Sequence, residues 1–150
     1  PDIDTTRIVL LGESQGGLVS SLVAANARMN ISKLILVYPA LCIPDNWNTR
    51  YSDLSEIPDT TSLWNIQLGR RFFTELRYLR PFDVIGSYRG PVQIVHGDAD
   101  RVVPIDYYRQ AQKVYANARL HIIPKAGHGF KPAEFQESLQ VIRQFLEAKK

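Results

Sequence analysis

Cysteine is nearly absent: Cys42 stands alone, so no internal disulfide can brace the chain. That usage fits a reducing compartment, and a cytoplasmic location is the expectation. Long hydrophobic runs are also missing. No stretch approaches the roughly 20 apolar residues of a membrane-spanning helix, so no membrane span is expected. The N-terminus lacks the charged-then-apolar pattern of a secretion signal. Nor is there an excess of one charge, since 18 basic against 15 acidic residues leave only +3. The positive charges are scattered, apart from Arg70-Arg71 and Lys149-Lys150. No basic stripe with interleaved aromatics is present, which argues against nucleic acid as a partner. Repeats and low-complexity segments are absent as well. There remain 150 residues, 45% of them hydrophobic, enough for one globular core and too few for two.

The chain is organised around Gly12-Glu13-Ser14-Gln15-Gly16-Gly17. Arg7-Ile8-Val9-Leu10-Leu11 precedes it, an apolar run that reads as a parallel strand buried on both faces. Leu18, Leu22 and Ala25 follow at helical spacing, predicting a helix from Leu18 to Met29. Strand, G-x-S-x-G and helix in that order is the context of a nucleophile elbow. So sharp a turn strains the serine backbone, and Gly12 and Gly16 are expected to remove side chains that would collide there. Gly17 is expected to let the helix pack close to the sheet. The turn lifts the Ser14 hydroxyl to a helix N-terminus, where developing negative charge is favoured. A glycine-rich turn holding an ordinary serine would look the same locally, so the rest of the chain decides.

Leu34 to Tyr38 reads as the next buried strand, stopped by Pro39, which completes a βαβ unit. Residues 39–89 break the rhythm with Pro44, Asn46, Trp47, Asn48 and Pro58, and Leu68 to Leu79 predicts one helix before Pro81. Such long excursions between parallel strands are usually binding inserts or lids. This one carries Trp47 and Trp64, with Tyr51, Phe72 and Phe73, which suit either a pocket wall or the insert's own small core. Alternation then resumes: strand Val92–His96, helix Ile105–Tyr115, strand Leu120–Ile123, and a helix over Ala133–Lys149 with Phe135, Leu139, Ile142 and Leu146 on one face. Residues 1–150 read as a single domain with 39–89 as a cap-like segment within it. The chain starts at Pro1 and enters a central strand almost at once, so the missing neighbours are expected from an N-terminal part of the same fold or from a second copy.

Two more stretches carry chemistry. His96-Gly97-Asp98-Ala99-Asp100-Arg101-Val102-Val103-Pro104 and Lys125-Ala126-Gly127-His128-Gly129-Phe130 each follow a strand, at the edge where ligand sites of open α/β sheets lie. Ser14, Asp100 and His128 come in the chain order of an α/β-hydrolase. A serine needs a base to take its proton, and that base needs a carboxylate to set its tautomer. Asp98 and Asp100 both fit a turn-forming role too. His96 and His121, in strands, read as packed and satisfied histidines, whereas His128 lies in a loop freed by Gly127 and Gly129.

Together G-E-S-Q-G-G, H-G-D-A-D-R-V-V-P and G-A-G-H-G-F resemble the α/β-hydrolase superfamily of serine hydrolases, most closely its bacterial feruloyl and cinnamoyl esterases. The resemblance covers essentially the whole chain and only the C-terminal portion of that fold. It implies an α/β architecture with a mostly parallel sheet flanked by helices and a cap-like insert. It assigns Ser14 as nucleophile, His128 as base, and Asp100 rather than Asp98 as the acid. It gives the Gln15 backbone amide as one oxyanion donor, the other coming from an early loop that this chain does not contain. Where relatives carry His before the nucleophile, this chain has Glu13.

The implied function is hydrolysis of carboxylic esters, of hydroxycinnamoyl type, by a Ser-His-Asp triad and an acyl-enzyme. The partner is then a small-molecule ester, with no cofactor and no metal, and Trp47 and Trp64 are the candidate substrate-binding residues. A serine peptidase, amidase or lysophospholipase-like hydrolase shares the same three residues. A half-fold acting as an inactive binding partner is the non-enzymatic alternative.

Overall fold

In the computed structural model, residues 3–26, 28, 30–63 and 65–148 are described. In chain order the elements are β1 Ile8–Glu13, α1 Gln15–Ala25, β2 Ile31–Val37, α2 Ile43–Arg50, β3 Thr60–Leu63, β4 Ile66–Gly69, α3 Arg70–Leu76, α4 Pro81–Ile85, β5 Val92–Gly97, α5 Ile105–Val114, β6 Ala118–Ile123 and α6 Pro132–Glu147. They divide into two compact units, one of residues 1–41 with 81–150 and the other Cys42–Arg80.

The larger unit holds a four-stranded sheet in the order β1-β2-β5-β6, parallel throughout. Its centre is apolar because β2 and β5 supply continuous runs: Leu34, Ile35, Leu36, Val92, Ile94 and Val95 are all buried. Parallel strands covered on both faces require such runs rather than alternation. One side of the sheet packs α6 through Ile142 and Phe145 against Ile35, Val37 and Tyr38. Lys33 on β2 fastens the end of that helix, its Nζ donating to the carbonyls of Phe145, Leu146 and Ala148 at 2.8, 2.8 and 2.9 Å. A lysine there satisfies carbonyls that the last helical turn leaves without partners and complements the helix dipole.

Within this chain β1 lies at one edge of the four-stranded sheet and β6 at the other, and Val9 and Leu11 are exposed. An apolar run records what a strand could cover, while its burial depends on its neighbours. In α6 the buried residues are Ser138, Ile142 and Phe145, with Phe135, Leu139 and Leu146 exposed. The stripe from Phe135 to Leu146 is present, but the helix is rolled so that Phe145 meets the sheet. α1 ends at Ala25, short of the expected Met29, which lies outside the described residues.

The smaller unit is more regular than its sequence implied. Residues 43–50, expected to be irregular, form α2, where Pro44 falls in the first turn and has no hydrogen bond to lose. The helix expected from Leu68 begins only at Arg70, because Ile66–Gly69 pairs antiparallel with Thr60–Leu63 as a hairpin. Trp47, Tyr51, Phe72 and Phe73 form its aromatic cluster, with Trp47 edge-on to Phe73 at 4.8 Å and stacked on Tyr51 at 6.0 Å. Arg50 lies over both the Trp47 and Tyr51 rings.

Candidate active site

Ser14 joins β1 to α1 with φ 51° and ψ −121°. That region is sparsely populated for a residue with a side chain, at a cost on the order of 1–3 kcal/mol, and such outliers gather at functional sites. The surroundings enforce it. The Ser14 amide donates to Val37 O at 3.0 Å, and the Ser14 carbonyl accepts from Gly17 and Ala40 at 2.9 Å each. A Cβ on Gly12 would lie 2.2 Å from the Gly16 carbonyl oxygen, and one on Gly17 would lie 2.7 Å from Pro39. Both glycines are therefore required by close approach. Gly16 is not, since nothing lies within 4 Å of its missing Cβ.

A serine at a helix N-cap ordinarily turns its hydroxyl onto an amide of the first turn. Ser14 makes no such cap bond. Its Oγ instead lies 2.8 Å from His128 Nε2, and His128 Nδ1 lies 2.9 Å from Asp100 Oδ2. A carboxylate only accepts, so the imidazole proton sits on Nδ1 and Nε2 accepts from the serine hydroxyl. This relay joins the ends of β1, β5 and β6. Gln15 is the first residue of α1, where an amide has no intrahelical carbonyl to bind.

The Asp100 carboxylate, with its side chain 1% exposed, is fully engaged. Oδ1 accepts from the amides of Val102 and Val103 at 2.8 and 2.9 Å, and Oδ2 from His128. Asp98 is used otherwise: its Oδ1 accepts from the Lys125 amide at 2.5 Å, tying the loop after β5 to the loop after β6. Where those loops meet, a Cβ on Gly97 would sit 2.2 Å from the Ala126 carbonyl oxygen.

His96 differs from its expectation as a merely packed and satisfied residue. It is fully buried against the Tyr108 ring at 3.9 Å, and its Nε2 lies 3.2 Å from both Asp100 Oδ2 and the Val103 carbonyl. With two acceptors facing Nε2, the proton is there, and buried Nδ1 has no partner among the described residues. Burial pulls its pKa down to about 4, against the opposing pull of Asp100, so it is neutral near pH 7. Burial of His96 in the strand hid this contact in the sequence, and no local spacing pattern signals it. His121 is half-exposed on β6 and pairs with Glu137 at 2.7 Å, rather than being packed.

Tyr38 and Glu13 stand beside the relay and were not singled out together by sequence. Of the candidate substrate residues, Trp47 belongs to the aromatic cluster of the smaller unit, and Trp64 lies outside the described residues. Among the described residues no helix is long and apolar enough to cross a membrane.

Known proteins share this arrangement of elements. Est1E from Butyrivibrio proteoclasticus, solved with ferulic acid bound, is 33% identical with a TM-score of 0.83, over 95% of this chain and 59% of that one. A second Est1E structure gives 33% identity and a TM-score of 0.82, over 95% of this chain and 61% of that one. The chain thus spans about three fifths of the length of Est1E. Mouse alpha/beta hydrolase domain-containing protein 10, 16% identical with a TM-score of 0.77, covers 97% of this chain with 64% of its own, and supports the fold alone. Among curated proteins no sequence match was found. The parallel sheet flanked by helices is that of the α/β-hydrolases, over part of their length. With residues 2–149 matching the model of the prolyl oligopeptidase family, the strained serine and its two partners fall inside one continuous match, and the chain belongs to that family.

Proposed function

We propose that this chain carries the triad of a serine esterase that hydrolyses carboxylic esters, with hydroxycinnamoyl esters as its preferred class. The observation that carries the reading is the relay from Ser14 through His128 to Asp100, built on a strained elbow that withholds the serine from helix capping. His128 Nε2 takes the Ser14 proton as Oγ attacks the ester carbonyl, and the imidazolium returns that proton to the leaving alcohol. Water then repeats the cycle on the acyl-enzyme. Asp100 keeps the proton on Nδ1 and offsets the imidazolium charge. The Gln15 amide stabilises the oxyanion, a contribution of about 10²–10³ in rate per donor.

The likeness to Est1E, with ferulic acid bound at 33% identity, supports the acyl class. Trp47 and Trp64 are proposed as contributors to acyl choice, and a panel of esters separates that role from packing. Trp47→Ala and Trp64→Ala should lower kcat/KM for hydroxycinnamoyl esters more than for acetyl esters; equal losses leave only the packing role. The match to the prolyl oligopeptidase family favours a second reading, a serine peptidase, which the same panel tests with peptide anilides.

The deciding experiment is labelling by a fluorophosphonate, located by peptide mass spectrometry. Modification of Ser14 in the wild-type protein and its loss in Ser14→Ala are expected. An unlabelled wild-type protein with intact fold would favour the inactive binding partner.

A further inference from the structure

Tyr38 is held more tightly than packing alone requires. It follows β2 with φ 34°, an outlier for a bulky side chain. Its amide donates to Val95 O at 2.8 Å, and the residue is buried. Its hydroxyl donates to Glu13 Oε1, on the residue immediately before the nucleophile. Its ring packs against the His128 imidazole, tilted by 55° with centroids 4.8 Å apart, and Phe130 meets it edge-on at 4.7 Å. Ile35, Val37, Ile142 and Phe145 complete its surroundings. Burial foremost, then the bond to Glu13, holds the phenol protonated well above its usual range, while a hydrogen bond from the Phe130 backbone works the other way. The phenol oxygen therefore links the elbow to the loop that carries His128.

A phenylalanine would fill the same space without that link. The His128 loop needs outside support, because Gly127 and Gly129 flank the histidine and Gly129 adopts φ 78°. An imidazole that must first face Ser14 and then a leaving group tolerates little displacement, since about 1 Å costs about a hundredfold in rate.

We propose that Tyr38, anchored by Glu13, is a positioning residue that holds the His128 imidazole between Ser14 and Asp100. The inference rests on the esterase reading, and it gives Glu13 a role: the anchor that replaces the histidine expected before the nucleophile.

Three single variants and one double variant test it. Tyr38→Phe keeps the ring and cuts the tie, Glu13→Ala removes the anchor, and Glu13→Gln keeps an accepting oxygen. Fluorophosphonate labelling rates, kcat and KM on a soluble aryl ester, and the downfield Nδ1 proton resonance of His128 are compared at one pH. Tyr38→Phe and Glu13→Ala should each lose about tenfold in labelling rate and kcat with KM unchanged, a fraction of what full displacement costs. Their Nδ1 resonance should broaden. Glu13→Gln should stay within about twofold of wild type, and the Tyr38→Phe/Glu13→Ala double variant should be no worse than either single one, as members of one unit behave. Wild-type rates and an unchanged resonance in both disrupting variants would overturn the clamp, as would a Glu13→Gln loss equal to that of Glu13→Ala. If Tyr38→Phe fails to fold, Glu13→Ala, at an exposed carboxylate, still decides. A wild-type protein that is not labelled at Ser14 sinks the esterase reading and takes the clamp with it, whereas a labelled wild type with unaffected variants sinks the clamp alone.

Discussion

The two aspartates of one short loop separate cleanly by what their oxygens touch. Asp100 accepts from two amides and two imidazoles, and only its negative charge matches four donors. Asp98 accepts one amide, which a neutral amide oxygen can equally well do. Asp100→Asn is therefore expected to cut kcat by about 10⁴, through the wrong histidine tautomer. Asp98→Asn should retain activity within a few-fold; the reverse order in an ester assay would exchange their roles. His96 adds a pH signature. Its ordinary pKa of 6.5 falls to about 4 in the fold, so between those values the unfolded chain binds a proton that the native one does not. Its contribution to stability is complete above pH 6.5 and is lost as pH falls toward 4, with a slope of up to about 1.4 kcal/mol per pH unit. Chemical denaturation at pH 7 and pH 4.5 should show a smaller difference for His96→Gln than for wild type, and equal differences would remove His96 as the cause. Sequence showed which residue types were present at strand ends, because strand ends are where such sites form. It did not show His96 on Asp100 or Tyr38 on His128, because these contacts depend on burial and on a positive φ that no local pattern announces.

At the level of elements, strands were legible where apolar runs were continuous, as in β2 and β5, and less so where several patterns compete. Leu68 to Leu79 carries a helical period, but Thr60–Leu63 captures its first residues as the partner strand of a hairpin. Cross-strand pairing outcompeted local preference there. α6 shows the other failure, since a right-looking stripe was rolled by one large side chain, Phe145, seeking the sheet. The elbow allows a sharper test. Gly12→Ala drives a methyl into the Gly16 carbonyl and the Ser20 hydroxyl, at 2.2 and 2.4 Å, and should destabilise by about 1–3 kcal/mol as overpacking does. Gly16→Ala meets nothing and lies within α1, so it should be neutral or stabilising by up to about 1 kcal/mol. Urea midpoints of the two variants check this, and equal losses would mean that the motif's second glycine answers to a constraint outside these contacts.

At the level of the molecule, the α/β class was readable from alternation and the hydrolase fold from the three motifs that follow β1, β5 and β6, whereas the strand order was not, since a run of apolar residues does not name its neighbours. The topology has one further effect. Ser14 and His128 are separated by 114 residues and meet across the four described strands of the sheet, with β2 and β5 between their own. Local helices can form early in folding, but this contact closes a long loop, and closure of that kind is slow. The expectation is therefore that competence comes late in folding, once β6 has paired with β5. In refolding from urea, far-ultraviolet ellipticity should recover before Ser14 becomes reactive toward a fluorophosphonate. The lag between the two clocks would time the docking of the last strand, so that a reagent aimed at chemistry becomes a stopwatch for assembly.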